Sequence, residues 1–536
     1  MNTYKKFIEL FLKKDRKHCI LSVILVFLLA FIQGFITLSI RVVLDKIPGE
    51  TEMVKTLIFY IVVYTLAYFV YNIISIAWYM CLDMLGGNII ESMRENLIRS
   101  IKTADYEKLL MIGRDKLKNI LYMDTLNVFS SIALQSIQAF ADFIIMLVFL
   151  GIAVVSNYKL GIALASGAGI GYLISYLSRK QIIRSSREVN AAMKSDNQVL
   201  NEYIDAIELD KQNNVGDYFT DKCKNSLWKF INTSVRVDKK QIFLRNLINH
   251  FHQIFSIGIT IYLMMASENT TGQIVFFMMV ADIIIEKSVS FENSIYAIHR
   301  TLPSFENIEM INVLEKPDEG MEVSKIKKIE LKNLSFWYEN AESSLIKNLN
   351  AEFQSGDIVR VAGKNGSGKS TVLKLLSGLL TAKEGEIRYN GVDIRNISES
   401  SLRKQILSVA QDEVMLNEPL EDYLRIIRSG TFHKEEYQKL LKELDVDIHT
   451  DCITDSGKNL SNGQRKKLLM IKLLLYCKEA SVILIDEIDA GLDIKTREKW
   501  NIIEKEIIKQ NPECILFKIS HDAVDDLNFY TRTLEL

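Results

Sequence analysis

"DIVRVAGKNGSGKSTVLKLLSGLL", Asp357–Leu380, decides the fold of the second half of the chain. Its opening residues, rich in valine and isoleucine, read as a buried strand, and its closing run reads as a helix. Between them GKNGSGKST, Gly363–Thr371, satisfies GxxxxGK[ST] at every fixed position. A glycine loop in that setting curls its backbone N–H groups round phosphate oxygens, and the following helix adds positive potential at its start. Gly363, Asn365, Gly366, Ser367, Gly368, Lys369, Ser370 and Thr371 are therefore the candidate ATP-binding residues. Lys369 is expected at the β- and γ-phosphates and Ser370 on Mg²⁺. A chance glycine turn would not be framed by a strand before it and a helix after it.

Farther along, "SVILIDE" (Ser481–Glu487) is an apolar strand that ends in two carboxylates. In an open α/β sheet the carboxyl edge of the strands holds the site. Asp486 is expected to hold Mg²⁺ through water and Glu487 to orient or deprotonate an attacking water. Ordinary strand-end acids are the alternative, and the phosphate loop in the same domain argues against it. The composition turns polar near Pro317–Lys328, "PDEGMEVSKIKK", which places a linker at 317–328 and an α/β P-loop domain at 329–536.

The first half has a different character. The 536 residues are 48% hydrophobic with a mean hydropathy of +0.10, and the excess lies in long apolar runs before the linker. Six runs approach the roughly 20 residues needed to cross a bilayer: Ile20–Ile40, Leu57–Cys81, Ile132–Val155, Leu160–Leu177, Phe251–Ala266 and Gln273–Ile285. Basic residues from Lys5 to Lys17 put the N-terminus in the cytoplasm, and the alternation of basic flanks fits six spans with both ends inside. The first run is long, carries no small-residue cleavage site and is followed by five more, so it reads as a span and not as a signal peptide. The turns "SNYK" and "SENTTGQ" are short. The inner connections, near 86–131 and 178–247, are long, charged and helix-favouring. The fold class expected is a membrane all-α six-helix domain at 1–316 with long cytoplasmic helical extensions, followed by the α/β P-loop NTPase domain.

Asp142 and Asp282 fall inside runs, where an ionisable group is costly and tends to face a cavity. They are candidate substrate-cavity residues, or, with span edges displaced by a turn, residues of the headgroup zone. "SGAGIG" (Ser166–Gly171) has no strand before it and reads as small residues permitting close helix packing. The net charge of −1 gives no electrostatic reason for a nucleic-acid partner. The six cysteines form no CxxC pair and no metal-ligand spacing.

Five further stretches complete a resemblance to the ATP-binding cassette (ABC) family. "LSNGQ" at Leu460–Gln464 resembles its signature, and "GLD" at Gly491–Asp493 its D-loop. "SHD" at Ser520–Asp522 supplies a switch histidine, His521. Gln411 in "SVAQDEVML" resembles the Q-loop glutamine, and Tyr338 in "LSFWY" is similar to the aromatic that stacks on adenine. Six spans fused to one cassette are similar to the exporter branch. The resemblance implies two cassettes closing head to tail on two ATPs. Each nucleotide would then lie between one P-loop and the partner's Ser461, Asn462, Gly463 and Gln464. Glu487, His521 and Gln411 would be catalytic, and Ser370, Gln411 and Asp486 would hold Mg²⁺. It maps contacts between membrane and cassette domains onto about Tyr106–Asn119 and Gln212–Lys222.

The chain departs from the family pattern in three places. Asn462 stands where the signature usually has glycine, and Ala490–Gly491 stand where Ser–Ala is common. The sequence also stops soon after His521, where a further helical region is expected. One P-loop, one signature and six spans make half a transporter. Because both halves of the ATP site look chemically complete, the partner expected is a second identical chain, in a lipid bilayer. The expected location is a bacterial plasma membrane with the cassette in the cytoplasm. The function expected is ATP-driven export of a peptide, drug-like or amphipathic substrate. Import by the same architecture, or a regulatory membrane ATPase that moves nothing, are the other readings.

Overall fold

The computed structural model describes residues 15–45, 50–265, 270–315, 319–339, 343–410, 412–428, 432–444, 452–490, 492, 494–519 and 529–536. The chain divides into two compact units. One is Met1–Lys102 with Gly113–Glu315, and the other is Thr103–Ile112 with Lys316–Leu536.

The first unit is helical. It contains α1 (Arg16–Asp45) and α2 (Glu50–Thr103). After the short α3 (Tyr106–Ile112), which packs in the other unit, come α4 (Arg114–Ser156), α5 (Tyr158–Asp205), α6 (Ile207–Asn213), α7 (Gly216–Met265) and α8 (Thr271–Asn312). Helices run well past the apolar stretches, as the charged, helix-favouring connections predict. α2 continues from its apolar run to Thr103, and α5 to Asp205. Turn chemistry sets the starts of two of them. Asn157 caps α5 by accepting from Leu160 N (3.3 Å). Thr270 and Gln273 form a reciprocal capping box at α8, with Gln273 N to Thr270 Oγ1 at 3.2 Å and Thr270 N to Gln273 Oε1 at 3.0 Å.

Among the described residues, four helical stretches are long and apolar enough to cross a membrane: α1, α2 from Leu57, α4 and α5. The sequence predicts six. α7 and α8 are as long as the others, but the expected fifth span ends at 266, outside the described residues. The sixth contains Asp282 and runs straight into Glu286 and Lys287. α8 is nonetheless the central helix of this unit and packs on α1, α4, α5 and α7. Phe276, Phe277, Val280 and Ile284 of α8 meet Val26 and Leu29 of α1 and Ile145 and Phe149 of α4 in one buried cluster. In lipid such contacts hold by close packing and by a few polar links, since apolar burial itself gains little there. Trp78 Nε1 on α2 donates to Ser22 Oγ on α1 at 3.0 Å, one such link. Gly167 is another close approach, because a Cβ there would lie 2.7 Å from the Phe255 ring.

The two acids of the apolar runs part company. Asp142, 1% exposed, accepts from Gln138 Nε2 (3.1 Å) and Ser290 Oγ (2.6 Å). Asp282 is exposed on α8.

The second unit is built on two sheets. β1 (Lys328–Phe336), β2 (Ile346–Gln354), β4 (Glu384–Tyr389) and β5 (Val392–Asp393) form an antiparallel sheet in the order β2-β1-β4-β5. β3 (Ile358–Ala362), β6 (Ile406–Val409), β7 (Val482–Asp486), β8 (Ile515–Ile519) and β9 (Arg532–Glu535) form a parallel sheet in the order β6-β7-β8-β3-β9. The near-continuous apolar reading of β3, β7 and β8 is what a parallel strand covered on both faces needs. Helices α9 (Lys369–Leu376), α10 (Glu399–Gln405), α11 (Leu420–Ile427), α12 (Lys434–Glu443), α13 (Asn462–Tyr476) and α14 (Ile494–Gln510) surround the sheets. One apolar cluster joins β1, β3, β8 and α9; another joins β7, α13 and α14. In the same unit α3 presents Glu107, 8% exposed, which pairs with Lys383 Nζ at 2.7 Å.

Candidate functional site

β3 delivers the chain into the glycine loop and α9 carries it away. Gly366 and Gly368 take φ of 80° and 99°, the left-handed region in which a side chain is strained. A Cβ on Gly368 would also lie 3.1 Å from Leu345. This loop bounds an open cavity of about 440 Å³, lined by Leu345, Asn365, Gly366, Gly368, Lys369, Ser370, Thr371 and Glu487. P-loop and strand-end acid are thus brought together, although β8 lies between their two strands in the sheet.

Inside the cavity the polar groups are poised. Lys369, 7% exposed, donates from Nζ to Gly363 O (2.9 Å) and Lys364 O (3.4 Å). Ser367 Oγ is buried with no hydrogen-bond partner. Asp486 is hydrogen-bonded to Ser370 through its side chain, yet its Oδ1 is also buried without a partner. Burial pushes the Asp486 carboxyl above the usual carboxylate range and Glu487 adds to this, while Ser370, Lys374 and Lys369 pull it down. A serine hydroxyl and an orphaned carboxylate oxygen on adjacent groups are a donor set suited to a hard cation. The residues present therefore fit Mg²⁺ bound with a phosphate in this loop.

Glu487 is the first residue past β7 and takes φ of 50°, unusual for a residue with a side chain. Its N–H donates to Ile519 O at 3.2 Å, which ties the turn to β8. Tyr338 stands edge-on to Phe336 (5.0 Å, 88°), and its hydroxyl lies 3.3 Å from Thr371 Oγ1. It is at the loop without lining the cavity. Gln411, His521 and Asp493 lie outside the described residues.

The signature residues start α13. Ser461 and Gln464 form a second capping box, with Gln464 N to Ser461 Oγ at 3.2 Å and Ser461 N to Gln464 Oε1 at 2.8 Å. The pattern S-x-x-Q was legible as a cap but reads first as a phosphate turn. Asn462 and Gly463 are exposed, and a Cβ on Gly463 would meet nothing within 4 Å. Among the described residues, none of these four lines the P-loop cavity.

Two lysines hold the turn that follows β7 and belong to none of the motifs. Lys466 of α13 donates to Ala490 O. Lys518, the penultimate residue of β8, pairs with Asp489 and Glu504. The signal for Lys518 was a charge within the apolar strand "ILFKI".

A lipid-crossing helical domain fused to a P-loop nucleotide-binding domain defines a class of membrane NTPases. Within it the chain belongs to the ABC transporter family: residues 19–287 match the ABC transporter transmembrane region and residues 346–490 match ABC transporter. It is similar to the subtilin transport ATP-binding protein of Bacillus subtilis, 26% identical over 303 residues, 52% of this chain and 48% of that protein. It is similar to the nisin transport ATP-binding protein of Lactococcus lactis subsp. lactis, 28% identical over 308 residues, 53% of this chain and 50% of that one. An ATP-dependent lipid A-core flippase of Photorhabdus laumondii is 28% identical over 212 residues, 38% of this chain and 36% of that one. The chain spans about half the length, or less, of these curated relatives in the match. In fold it is similar to a solved bacterial Atm1-family ABC exporter with ATP bound, at a TM-score of 0.83 and 15% identity, over 95% of this chain and 92% of that one.

Proposed function

We propose that this chain is one half of a homodimeric, ATP-driven exporter with six spans, carrying a peptide, drug-like or amphipathic cargo across the bilayer. The observation that carries the reading is the division of the phosphate-binding parts. P-loop and Glu487 share one cavity, while Ser461, Asn462 and Gly463 stand exposed and, with the half-buried Gln464, lie outside its lining. Gly463 supports this further. Helical glycine is unfavourable by about 1 kcal/mol relative to alanine, and nothing within its own chain crowds it. Its bareness is useful when a second chain's nucleotide approaches. Ser461 Oγ accepts from its own helix, which leaves its O–H to donate to that γ-phosphate.

On this reading Lys369 and the loop N–H groups bind the β- and γ-phosphates and Tyr338 packs at the adenine side. Ser370 and Asp486, with Gln411, hold Mg²⁺, which supplies charge neutralisation on the phosphates. Glu487 orients and deprotonates the attacking water, and His521 steadies the γ-phosphate. Closure and reopening of the cassette pair drives the membrane helices. The relatives named for subtilin and nisin transport and for flipping lipid A-core support an exported cargo that partitions to membranes. Asp282, exposed on α8, is the acid proposed to meet a cationic group of the cargo. Asp142, also proposed there, has its carboxylate held by Gln138 and Ser290.

Inside-out vesicles bearing the purified chain test this. ATP-dependent accumulation of an amphipathic peptide or dye inside them is expected. ATP hydrolysis with no accumulation across a broad cargo panel would replace transport with regulation.

A further inference from the structure

The turn that carries Glu487 is fastened by a buried charge. Lys518 is 1% exposed and sits in β8, a central strand that is otherwise apolar. An ammonium there is tolerated only when it is compensated. Its Nζ lies 2.8 Å from Asp489 Oδ2 and 2.8 Å from Glu504 Oε1, both buried, and 5.9 Å from the centre of the Trp500 ring. Burial works against the charge, but Glu504 and Asp489 outweigh it and hold the ammonium above the ordinary lysine range.

The two carboxylates come from different places. Glu504 belongs to α14, the helix that follows the turn, and lies fourteen residues beyond Ala490. Asp489 is in the turn itself, two residues past Glu487. The turn is also held by Glu487 N to Ile519 O (3.2 Å), one residue beyond Lys518 on the same strand, and by Lys466 of the signature helix on Ala490 O. Lys466 is 5% exposed. Glu487 keeps a left-handed φ of 50°, a conformation that persists only where its surroundings over-determine it.

We infer that Lys518 is a positioning residue for ATP hydrolysis: by gripping Asp489 from β8 it fixes the Glu487–Ala490 turn and so aims the Glu487 carboxylate into the P-loop cavity. The inference rests on the reading of Glu487 as the group that activates water. Lys466 also ties the signature helix to the same turn.

The test compares Asp489→Ala with Glu504→Ala in the full chain reconstituted in lipid. Each deletes one carboxylate from the same ammonium, but only Asp489 belongs to the turn. For Asp489→Ala, kcat for ATP is expected to fall about 10- to 100-fold, with KM within about 2-fold and binding of a fluorescent ATP analogue retained. Asp489→Asn keeps an acceptor for the ammonium and is expected to recover most of that loss. Glu504→Ala should lower the melting temperature comparably while kcat changes by less than about 2-fold. Equal kcat losses in the two alanine variants would reduce the triad to a structural support and overturn the inference. A wild-type kcat in Asp489→Ala would do the same, or in Asp489→Val should the alanine variant not fold. A wild-type chain that binds ATP and does not hydrolyse it fails the proposed function itself, and is a separate result.

Discussion

Glu487 and Asp486 are neighbours with opposite requirements. Asp486 ends β7, where burial raises its carboxyl pKa and Ser370 holds it by a hydrogen bond. Glu487 turns out of the sheet into the cavity. Removing the proposed base while keeping the shape separates binding from chemistry. Glu487→Gln is expected to lower kcat by about 100- to 10,000-fold and to leave ATP trapped, measured as retained radiolabelled ATP after gel filtration. Asp486 gives a pH signature. Its charged form is disfavoured in the folded cassette, and that cost is relieved as pH falls and a proton binds. The proposed Mg²⁺ site needs the charged form. The rise in melting temperature given by Mg–ATP is therefore expected to be full near neutrality and to shrink as pH is lowered towards the carboxylate range. An unchanged shift would remove Asp486 from the metal site.

The elements explain why so much of the cassette could be read from sequence. A P-loop needs a buried strand, a glycine turn and a helix in immediate succession, so Val359, Val361 and Gly366–Ser370 announce themselves locally. Gly368 shows how tight the demand is. With φ of 99° and Leu345 beside it, Gly368→Ala is expected to cost about 1–2 kcal/mol, or roughly 5- to 30-fold in ATP affinity, without unfolding the domain. Fluorescent nucleotide titration checks it. What sequence hid was non-local. Lys518 in β8 meets Asp489 in the turn that follows the neighbouring β7, and Glu504 from α14, and no spacing rule predicts a partner set by strand order. The acids of the membrane half divided for the same reason. Asp142 and Asp282 look alike as single charges in apolar runs, and the fold tells them apart by burying Asp142 beside Ser290 while leaving Asp282 exposed. Hydropathy likewise underdetermines α7 and α8, because a helix packed on others can carry polar residues such as Glu286 and Lys287 in its length.

At the scale of the molecule, a single chain of the proposed homodimer holds two half-sites that belong to different nucleotides. A C2 pair of identical chains makes each site from one P-loop and one signature. Two variants, each inactive alone, should then complement. Lys369→Ala destroys both P-loops of its own dimer, and Ser461→Arg blocks both signatures of its own. In a mixed dimer one site carries both lesions and the other carries neither. The decisive measurement is the ATPase rate of the two variants co-reconstituted in equal amounts. Random pairing puts half the dimers in the mixed form with one sound site of two, so recovery is expected to approach roughly a quarter of the wild-type rate, far above either variant alone. A mixture no more active than its separate components would contradict a nucleotide shared between two chains.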